Sequence, residues 1–263
     1  MTRLRISANL GFLWNDLPLD VAISKAAAFG FDAVECHRPY TYSTSVVREA
    51  LQRTGLSMLC LNTIPGDPAA GELGLAALPG REFDARAAID QAIDYAVAIG
   101  CRAVHVMAGR ASGNHAAQVF RNNLLHASEK ASEGGIIILI EPLNPRDAPG
   151  YFLNSLELAS EILGSIGKNN IRLMFDCYHQ QIIRGDLLRS FERYLPLIGH
   201  VQFASVPDRA EPDHGEVNFY WLLREMQSLG YEGFFGAEYK PKDATGPNMG
   251  WLKSLQIDST KGS

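Results

Sequence analysis

Short apolar runs and longer amphipathic stretches alternate along the whole chain. Eight runs, each of roughly four to eight residues and rich in β-branched side chains, have the length and composition of buried strands. Between them, apolar residues recur at the spacing of a helix that buries one face. Strands that alternate with helices predict a parallel sheet, because parallel neighbours need a long crossover connection.

The pattern predicts an eightfold repeat of strand and helix. The predicted strands are Leu4–Asn9, Phe31–Cys36, Leu56–Asn62, Arg102–Ala108, Ile136–Glu141, Ile171–Asp176, His200–Ala204 and Phe234–Glu238. The predicted helices are Leu19–Phe29, Thr44–Thr54, Glu82–Ile99, Ala116–Glu133, Ser155–Ile166, Leu187–Tyr194, Trp221–Leu229 and a weak one at Met249–Leu255. The chain has 263 residues, and a β/α barrel typically has about 250. Residues 1–263 are therefore predicted to form one α/β domain, a single (β/α)8 TIM barrel.

Glycine stands at the joints that precede five of these strands. The five positions are Gly30, Gly55, Gly100, Gly199 and Gly230. Glycine is the residue that most readily adopts the left-handed conformation at the end of a helix, so we expect helix C-caps at these positions.

One connection is much longer than the others. Residues 63–81, with the sequence TIPGDPAAGELGLAALPGR, carry four Gly and three Pro. A loop of this length inside a compact domain is uncommon and usually functional, so residues 63–81 are predicted to be a lid or binding loop. A packed Ω-loop that only covers the barrel mouth is the alternative. Of the whole chain, only the tail at about 257–263 has the composition of a disordered segment.

Oxygen-bearing side chains end four consecutive predicted strands, the fifth to the eighth. They are Glu141, Asp176, Gln202 and Glu238. Because the carboxyl ends of barrel strands converge on one mouth, we expect these side chains to lie close together. Oxygen ligands suit Mg²⁺ or Mn²⁺, whereas zinc sites draw mainly on Cys and His. The pattern predicts a divalent-cation site, and a buried hydrogen-bond network is the alternative.

Further candidates for substrate contact flank these positions. His179 follows Asp176 in the string DCYH and can donate to a substrate oxygen or hold a ligand in place. Lys240 follows Glu238 and is a candidate partner for a substrate carboxylate, although a solvated lysine is the more usual outcome. Asn9, Glu35, Asn62 and His105 are candidates either for the substrate wall or for groups that hold the ligands in place. Asp67 and Arg81 are candidates for polar contacts of the lid.

Charge and composition narrow the class of partner. A net charge of −5 with no basic stripe argues against nucleic-acid binding. No apolar stretch approaches the roughly 20 residues of a membrane helix, and there is no signal-peptide core, so we expect a cytoplasmic protein with no membrane partner. The four cysteines form no CxxC pair and are expected to be buried, reduced thiols. The expected partner is a small molecule, and a homo-oligomer is left open.

Several strings of this chain resemble one known family. ILIEPLN, FDCYH, GHVQFASVPDRAEPDHGEVNFYWL and AEYKP, together with the loop NTIPGDPAAGELGLAALPGRE, resemble the hydroxypyruvate isomerase family of the xylose-isomerase-like barrels. The resemblance runs from about Arg5 to about Trp251. It implies that the metal is bound by Glu141, Asp176, Gln202 and Glu238. It also implies that Glu141 and Glu238 are the proton donor and acceptor pair.

The chain shares strings with two subgroups of that family. NTIPGD, ALPGRE and HVMAG resemble the 2-oxo-tetronate isomerases, whereas IEPLN followed by DAPGYFL resembles the hydroxypyruvate isomerases. The resemblance implies an aldose–ketose type isomerisation of a short hydroxy-oxo acid, with both substrates open. A divalent cation would stabilise the enediolate while one glutamate takes a carbon-bound proton and the other returns one. By ligand counting, three acids and a neutral amide around a dication leave a formal charge of about −1.

Three alternative functions stay open beside this isomerase function. A ketose 3-epimerase would use the same cation and acids on a longer sugar, although related epimerases usually carry His where this chain has Gln202. A metal-dependent hydrolase or endonuclease needs several His at strand ends, and His115, His126 and His214 fall outside the predicted strands. The third rival is a non-catalytic barrel that binds a sugar acid.

Overall fold

Eight parallel strands form a closed barrel in which each strand pairs with its neighbour in the chain. The structure, a computed structural model, describes residues 3–243 and 248–256. The first strand pairs with both the second and the eighth, which closes the sheet. The predicted (β/α)8 TIM barrel is confirmed.

Helices follow the strands around the outside of this barrel. The strands are β1 (Ile6–Asn9), β2 (Ala33–Cys36), β3 (Ser57–Asn62), β4 (Ala103–His105), β5 (Ile137–Ile140), β6 (Ile171–Asp176), β7 (Ile198–Phe203) and β8 (Phe235–Ala237). The α-helices are α1 (Leu19–Phe29), α2 (Thr44–Thr54), α3 (Glu82–Ile99), α4 (Gly113–Glu133), α5 (Leu156–Ile166), α6 (Cys177–Ile183), α7 (Leu187–Tyr194), α8 (Phe219–Ser228) and α9 (Gly250–Gln256). Two short 3-10 turns lie at Pro68–Ala70 and Leu195–Leu197.

Every predicted strand and helix is present, and side-chain caps explain where several helix bounds differ. Ser155, predicted as the first residue of its helix, instead caps α5 by accepting a hydrogen bond from the backbone of Leu158. Asn218 caps α8 in the same way, so that helix begins before the predicted Trp221. The predicted disordered tail at 257–263 lies outside the described residues.

Helix α6 was not predicted, and it matters for the site. It begins directly after β6 with no connecting loop, so its seven residues produce no separate periodic signal. The side chain of Asp176 accepts a hydrogen bond from the backbone N–H of Tyr178 at 2.8 Å and caps the helix. The strand-ending acid therefore also sets the direction in which the following helix leaves the barrel.

The glycines before the strands do not all serve as helix C-caps. Gly30, Gly55, Gly100 and Gly230 have positive φ and follow helices, as predicted. The prediction for Gly199 is wrong, because this residue lies inside β7. A Cβ there would lie 2.6 Å from the Cβ of Arg172 on β6, so glycine is needed for the close approach of the two strands.

Side chains along the strands alternate between the interior of the barrel and the layer beneath the helices. Cys60, Leu139 and Met174 pack together in a small apolar cluster, and a much larger apolar layer lies between sheet and helices. Glu141 and Asp176 each stand two residues beyond a member of the inner cluster, so they extend its face towards the carboxyl ends of the strands. All four cysteines are buried and unpaired, as predicted.

The long loop 63–81 is half anchored and half exposed. Its second half forms an isolated antiparallel bridge between Gly74 and Ala108, and the buried Ala77 also donates a backbone hydrogen bond to Ala108. Gly74 has a φ of 111°, and a Cβ there would lie 2.5 Å from the carbonyl oxygen of Met107. The tip at 67–71 is exposed to solvent. The loop therefore has a fixed base beside β4, and its opening and closing as a lid stays a prediction.

The helices give no sign of a membrane anchor in the residues described. No helix of residues 3–243 or 248–256 is both long and apolar enough to cross a bilayer.

Candidate active site

A cavity of about 530 Å³ lies at the carboxyl ends of the strands and contains most of the predicted site residues. The loop 63–81 forms part of its wall through Pro65 and Leu73. The predicted residues that line it are Asn62, His105, Glu141, His179, Glu238 and Lys240. Asp176 and Gln202 are buried and do not line it directly.

Three buried side chains come together at the floor of this cavity. Glu141 follows β5, Asp176 ends β6, and His179 lies in the first turn of α6. One ligand atom from each lies within 4.8 Å of the other two. Oε1 of Glu141 and Oδ2 of Asp176 are buried without a hydrogen-bond partner. Two acceptor oxygens without partners at one point are costly unless a donor or a cation binds there.

His179 is held in one orientation by its neighbours. Its Nδ1 accepts a hydrogen bond from the backbone N–H of Asn144 at 3.0 Å, and its Nε2 lies 3.6 Å from Oδ2 of Asp176. Burial, and then the charge of Arg209, lower the pKa of His179 to about 3, so the ring is neutral. A neutral ring that accepts at Nδ1 carries its proton on Nε2. His179 therefore presents a donor to the cavity.

The Gln202 amide has one end paired and the other end without a partner. Its Nε2 donates to Oε2 of Glu35 at 2.7 Å. Its Oε1 is buried and has no hydrogen-bond partner, like the free oxygens of Glu141 and Asp176. Three of the four predicted ligands thus have one unpaired, buried acceptor oxygen each.

Glu35, which the sequence predicts either as part of the substrate wall or as a group that holds a ligand in place, does not line the cavity. It is 1% exposed, and neither of its oxygens is free. Oε1 accepts from Ser7 Oγ at 2.5 Å and lies 3.0 Å from Nε2 of His200, while Oε2 accepts from Gln202. Burial alone would raise the pKa of Glu35, but the contacts with His200 and these donors lower it. Glu35 is an ionised group beneath the site.

Glu238 differs from Glu141 and Asp176 because both of its oxygens have hydrogen-bond partners. Its Oε1 accepts from Asn9 Nδ2 at 2.9 Å and lies 2.8 Å from Nε2 of His37, and its Oε2 accepts from Nη2 of Arg209 at 2.5 Å. Burial opposes ionisation, but Arg209 and then His37 lower the pKa of Glu238 to about 2.

Arg209 is a central residue that the sequence did not reveal. It lies in the loop after β7 with a φ of 54°, and its guanidinium also lies 3.5 Å from Oδ2 of Asp176. The rings of Tyr178 and Phe12 pack against it at 4.8 and 5.1 Å from their centres. A single arginine in an irregular loop gives no periodic signal. The only available hint was its position shortly after a strand that ends in a candidate ligand.

The glutamates of the cavity have opposite tendencies to ionise. Burial, followed by the charges of Glu238 and Asp176, raises the pKa of Glu141 well above its ordinary value. Burial also raises the pKa of Asp176 to about 7, with Arg209 opposing and Glu238 reinforcing the shift. The cavity therefore holds one glutamate that ionises readily and one that releases its proton less readily.

The donor set fits a divalent cation. The unpaired atoms on Glu141, Asp176 and Gln202 are all oxygens, the ligand type that Mg²⁺ and Mn²⁺ prefer. Arg209 changes the predicted charge count, because its positive charge lies among the three acids. A bound cation requires all three acids to be ionised, and three carboxylates with one guanidinium then leave two negative charges. One dication balances these, whereas counting ligands alone left the site negative.

This barrel also matches a known family over most of its length. A family model described as a xylose isomerase-like TIM barrel matches residues 23–255. The chain belongs to this family.

Relatives of this xylose isomerase-like barrel are named as isomerases. This chain is 44% identical to a 2-oxo-tetronate isomerase of Cupriavidus necator, over 95% of this chain and 97% of the relative. It is 33% identical to a hydroxypyruvate isomerase of Escherichia coli, over 95% and 98% of the two chains. Both resemblances seen in the sequence are confirmed, and the chain is an enzyme of the isomerase class.

Solved structures agree on the fold of the xylose isomerase-like barrel. The crystal structure of a Brucella melitensis protein titled AP endonuclease, family 2, superposes with a TM-score of 0.92 at 38% identity, covering 97% of this chain and all of that one. A D-allulose 3-epimerase from Methylomonas superposes with a TM-score of 0.76 at 19% identity, covering 92% of this chain and 86% of that one. At that identity, the likeness to the epimerase concerns the fold alone.

Two residues of the predicted lid lie away from the cavity of this xylose isomerase-like barrel. Arg81 pairs with Glu72 and with Asp84 at the start of α3, and it does not line the cavity. Asp67 caps the 3-10 turn at the exposed tip by accepting from the backbone of Ala69. Their predicted contacts with substrate would require the loop to move.

Proposed function

We propose that the protein is a cation-dependent isomerase of a short hydroxy-oxo acid. The candidate reactions convert hydroxypyruvate to tartronate semialdehyde or 2-oxo-tetronate to 3-oxo-tetronate. The observation that carries the proposal is that the carboxyl groups of Glu141 and Glu238 share one cavity with opposite tendencies to ionise. The names of relatives at 33–44% identity support this choice of substrates.

Glu141, Asp176, Gln202 and Glu238 would hold the cation, with Mg²⁺ or Mn²⁺ as the preferred ions. The support is the set of buried acceptor oxygens without partners on the first three of these residues. When bound, the ion supplies electrophilic polarisation of the substrate carbonyl oxygen.

Cationic side chains supply the binding energy for a substrate carboxylate. Arg209, Lys240 and Arg38 line the cavity. Arg209 is tied to Glu238 and packed between two aromatic rings, so it is a fixed charge. Lys240 and Arg38 are the remaining candidates for the carboxylate, as the sequence suggested for Lys240.

The two glutamates carry the proton between adjacent carbons. Glu238, kept ionised by Arg209 and His37, removes the proton from the hydroxyl-bearing carbon, and the electron pair of that bond forms an enediolate. Glu141, which retains a proton more readily, returns one to the former carbonyl carbon. The hydroxyl proton moves to the other oxygen, and the N–H of His179 stabilises the developing charge.

Isomerisation in deuterated water tests the proposal. The purified protein with Mg²⁺ or Mn²⁺ should convert hydroxypyruvate or 2-oxo-tetronate, and NMR should show deuterium at the carbon that gains a proton. Product formation with no solvent deuterium would contradict proton transfer and favour a hydride shift. A keto-hexose in the same assay tests the 3-epimerase alternative. Absence of turnover on every substrate, with Mn²⁺ bound, would support the non-catalytic sugar-acid-binding alternative.

The endonuclease alternative receives less support from this chain. A solved relative at 38% identity has that name. However, the metal-ligand cluster found among the described residues contains a single histidine, and the whole chain carries a net charge of −5. A nuclease assay with the same preparation is the matching negative control.

The cellular location and the partner are proposed from the same observations. Four buried, unpaired thiols suit a reducing compartment, so we propose a cytoplasmic enzyme whose partner is a small oxo acid.

A further inference from the structure

We propose that Glu35 is a positioning residue that fixes which end of the Gln202 amide faces the cation site. This inference rests on the proposed function, because it assigns the orientation of one proposed ligand. Glu35 touches neither the cavity nor the proposed cation position, and it acts only through Gln202.

A glutamine can bind a cation only through its oxygen, yet its two ends have nearly the same size. Hydrogen bonding alone decides which end points where. An ionised carboxylate accepts hydrogen bonds and donates none, so Oε2 of Glu35 must face the NH₂ group of Gln202, here at 2.7 Å. The amide oxygen is thereby directed to the opposite side, where Oε1 is buried without a partner.

Glu35 is itself rigidly held, which the proposed role requires. Its other oxygen accepts from Ser7 on β1 and lies against His200 on β7. Gly236 on β8 leaves room for the pair, because a Cβ there would lie 2.3 Å from Oε1 of Glu35 and 3.0 Å from Cγ of Gln202. Three consecutive strands of the closed sheet, β7, β8 and β1, therefore hold Glu35 where it accepts from the Gln202 amide.

The arrangement also explains why an amide is the fourth ligand. A carboxylate at position 202 would place two acceptor-only groups in direct contact inside the barrel, which like-charge repulsion and burial both disfavour. The side chain at this position must donate a hydrogen bond to Glu35 and present an oxygen to the proposed cation. Glutamine meets both demands.

A double-mutant cycle read out by Mn²⁺ binding tests the proposal. The full chain is freed of metal with a chelator and titrated with Mn²⁺ by EPR. Glu35→Met removes the acceptor, and it should weaken Mn²⁺ binding by roughly 10- to 100-fold. In a Gln202→Met background, the same change should alter the affinity by no more than about twofold, because the amide it acts on is gone. Ser128→Ala removes a buried hydrogen bond between α4 and Asn170 that involves neither Glu35 nor Gln202, so it is the control and should bind Mn²⁺ like the wild type.

The outcomes separate this inference from the proposed function. A wild-type protein that binds no Mn²⁺ would contradict the proposed function itself. Wild-type affinity in Glu35→Met, or an equal loss in both backgrounds, would overturn the positioning role while leaving the function intact. If thermal unfolding shows that Glu35→Met does not fold, Glu35→Gln replaces it in the cycle. This variant can present either amide end to Gln202, and it should show a smaller loss that again vanishes without Gln202.

Discussion

The backbone N–H of Asn144 donates to Nδ1 of His179 at 3.0 Å and so fixes the proton of the neutral ring on Nε2. Because His179 lies close to Glu141 and Asp176, two roles are conceivable for it: hydrogen-bond donor to the substrate and metal ligand. The bond from Asn144 distinguishes between them. A histidine with a proton on the nitrogen that faces the site is a donor, whereas a metal ligand must present a lone pair there.

We expect His179→Ala to damage catalysis without removing the cation. The loss of a donor to the developing oxyanion should lower kcat by roughly 10²-fold. Mn²⁺ affinity should fall by less than the roughly tenfold that disturbing a ligand costs. A collapse of Mn²⁺ binding in this variant would instead identify His179 as a ligand. EPR titration and steady-state kinetics on one preparation decide between these roles.

Glu141→Gln and Glu238→Gln should both abolish turnover but differ in stability. Each removes one proton-transfer group, so kcat should fall by roughly 10²- to 10⁴-fold. Glu141 tends to stay protonated, so an amide replaces it at little cost, whereas Glu238→Gln breaks the buried pair with Arg209.

Thermal unfolding should therefore show a lower melting temperature for Glu238→Gln than for Glu141→Gln. Glu161→Gln, at an exposed acid on α5, is the control for both. Retention of more than a small fraction of activity in either site variant would remove the two-glutamate assignment.

The metal-free protein should lose stability through Asp176 as the pH rises. Burial raises the pKa of Asp176 from 3.8 to about 7, so the folded state holds a proton that the unfolded state releases between these values. The contribution of Asp176 is therefore fully present below pH 4 and is lost as the pH rises to about 7. A cation that binds the ionised group should reverse this loss.

Denaturant titrations of wild type and Asp176→Asn, both metal-free, isolate this contribution from that of other groups. The wild type should lose stability relative to the variant between pH 4 and 7, and Mn²⁺ should restore it in the wild type alone. A difference that stays constant with pH would show that Asp176 is already ionised in the metal-free fold.

Gly236→Ala should disturb Glu35 and Gln202 together. The added methyl group would lie 2.3 Å from Oε1 of Glu35, and overpacking of this kind costs about 1–3 kcal/mol. We expect a lower free energy of unfolding and weaker Mn²⁺ binding.

Gly164→Ala is the control, because it makes the same substitution and should raise the free energy of unfolding instead of lowering it. Gly164 lies within α5, and a Cβ there meets nothing within 4 Å, so helix propensity predicts a gain of roughly 0.5–1 kcal/mol. Equal effects of the two substitutions on unfolding would contradict the crowding argument.

The sequence predicted the barrel and the four oxygen-bearing residues because both depend on short-range patterns. Period-two alternation assigns Glu141 and Asp176 to the interior face, and the topology brings the strand ends together. The depth of a residue along the barrel axis could not be predicted in this way, because it depends on the stagger between neighbouring strands. Glu35 pairs with Asn9 across β1 and β2, yet Asn9 bonds to Glu238, which lines the cavity, whereas Glu35 bonds to Ser7 and Gln202, which do not.

Residues outside the strands were harder to predict for a related reason. Arg209 and His37 reach Glu238 from loops, and no periodicity constrains where a loop side chain points. Gly199 was assigned to a turn because glycine usually ends helices, whereas here it lets β7 approach Arg172. In each case a contact between segments distant in sequence decided the outcome.

The bridge between Gly74 and Ala108 anchors the base of loop 63–81, next to its exposed tip. Ala69 is exposed at that tip, and the adjacent Pro68 lines the cavity. If the predicted lid closes over a bound substrate, a fluorophore attached through a cysteine at position 69 would change its surroundings, and its emission would then report binding independently of any chemical conversion.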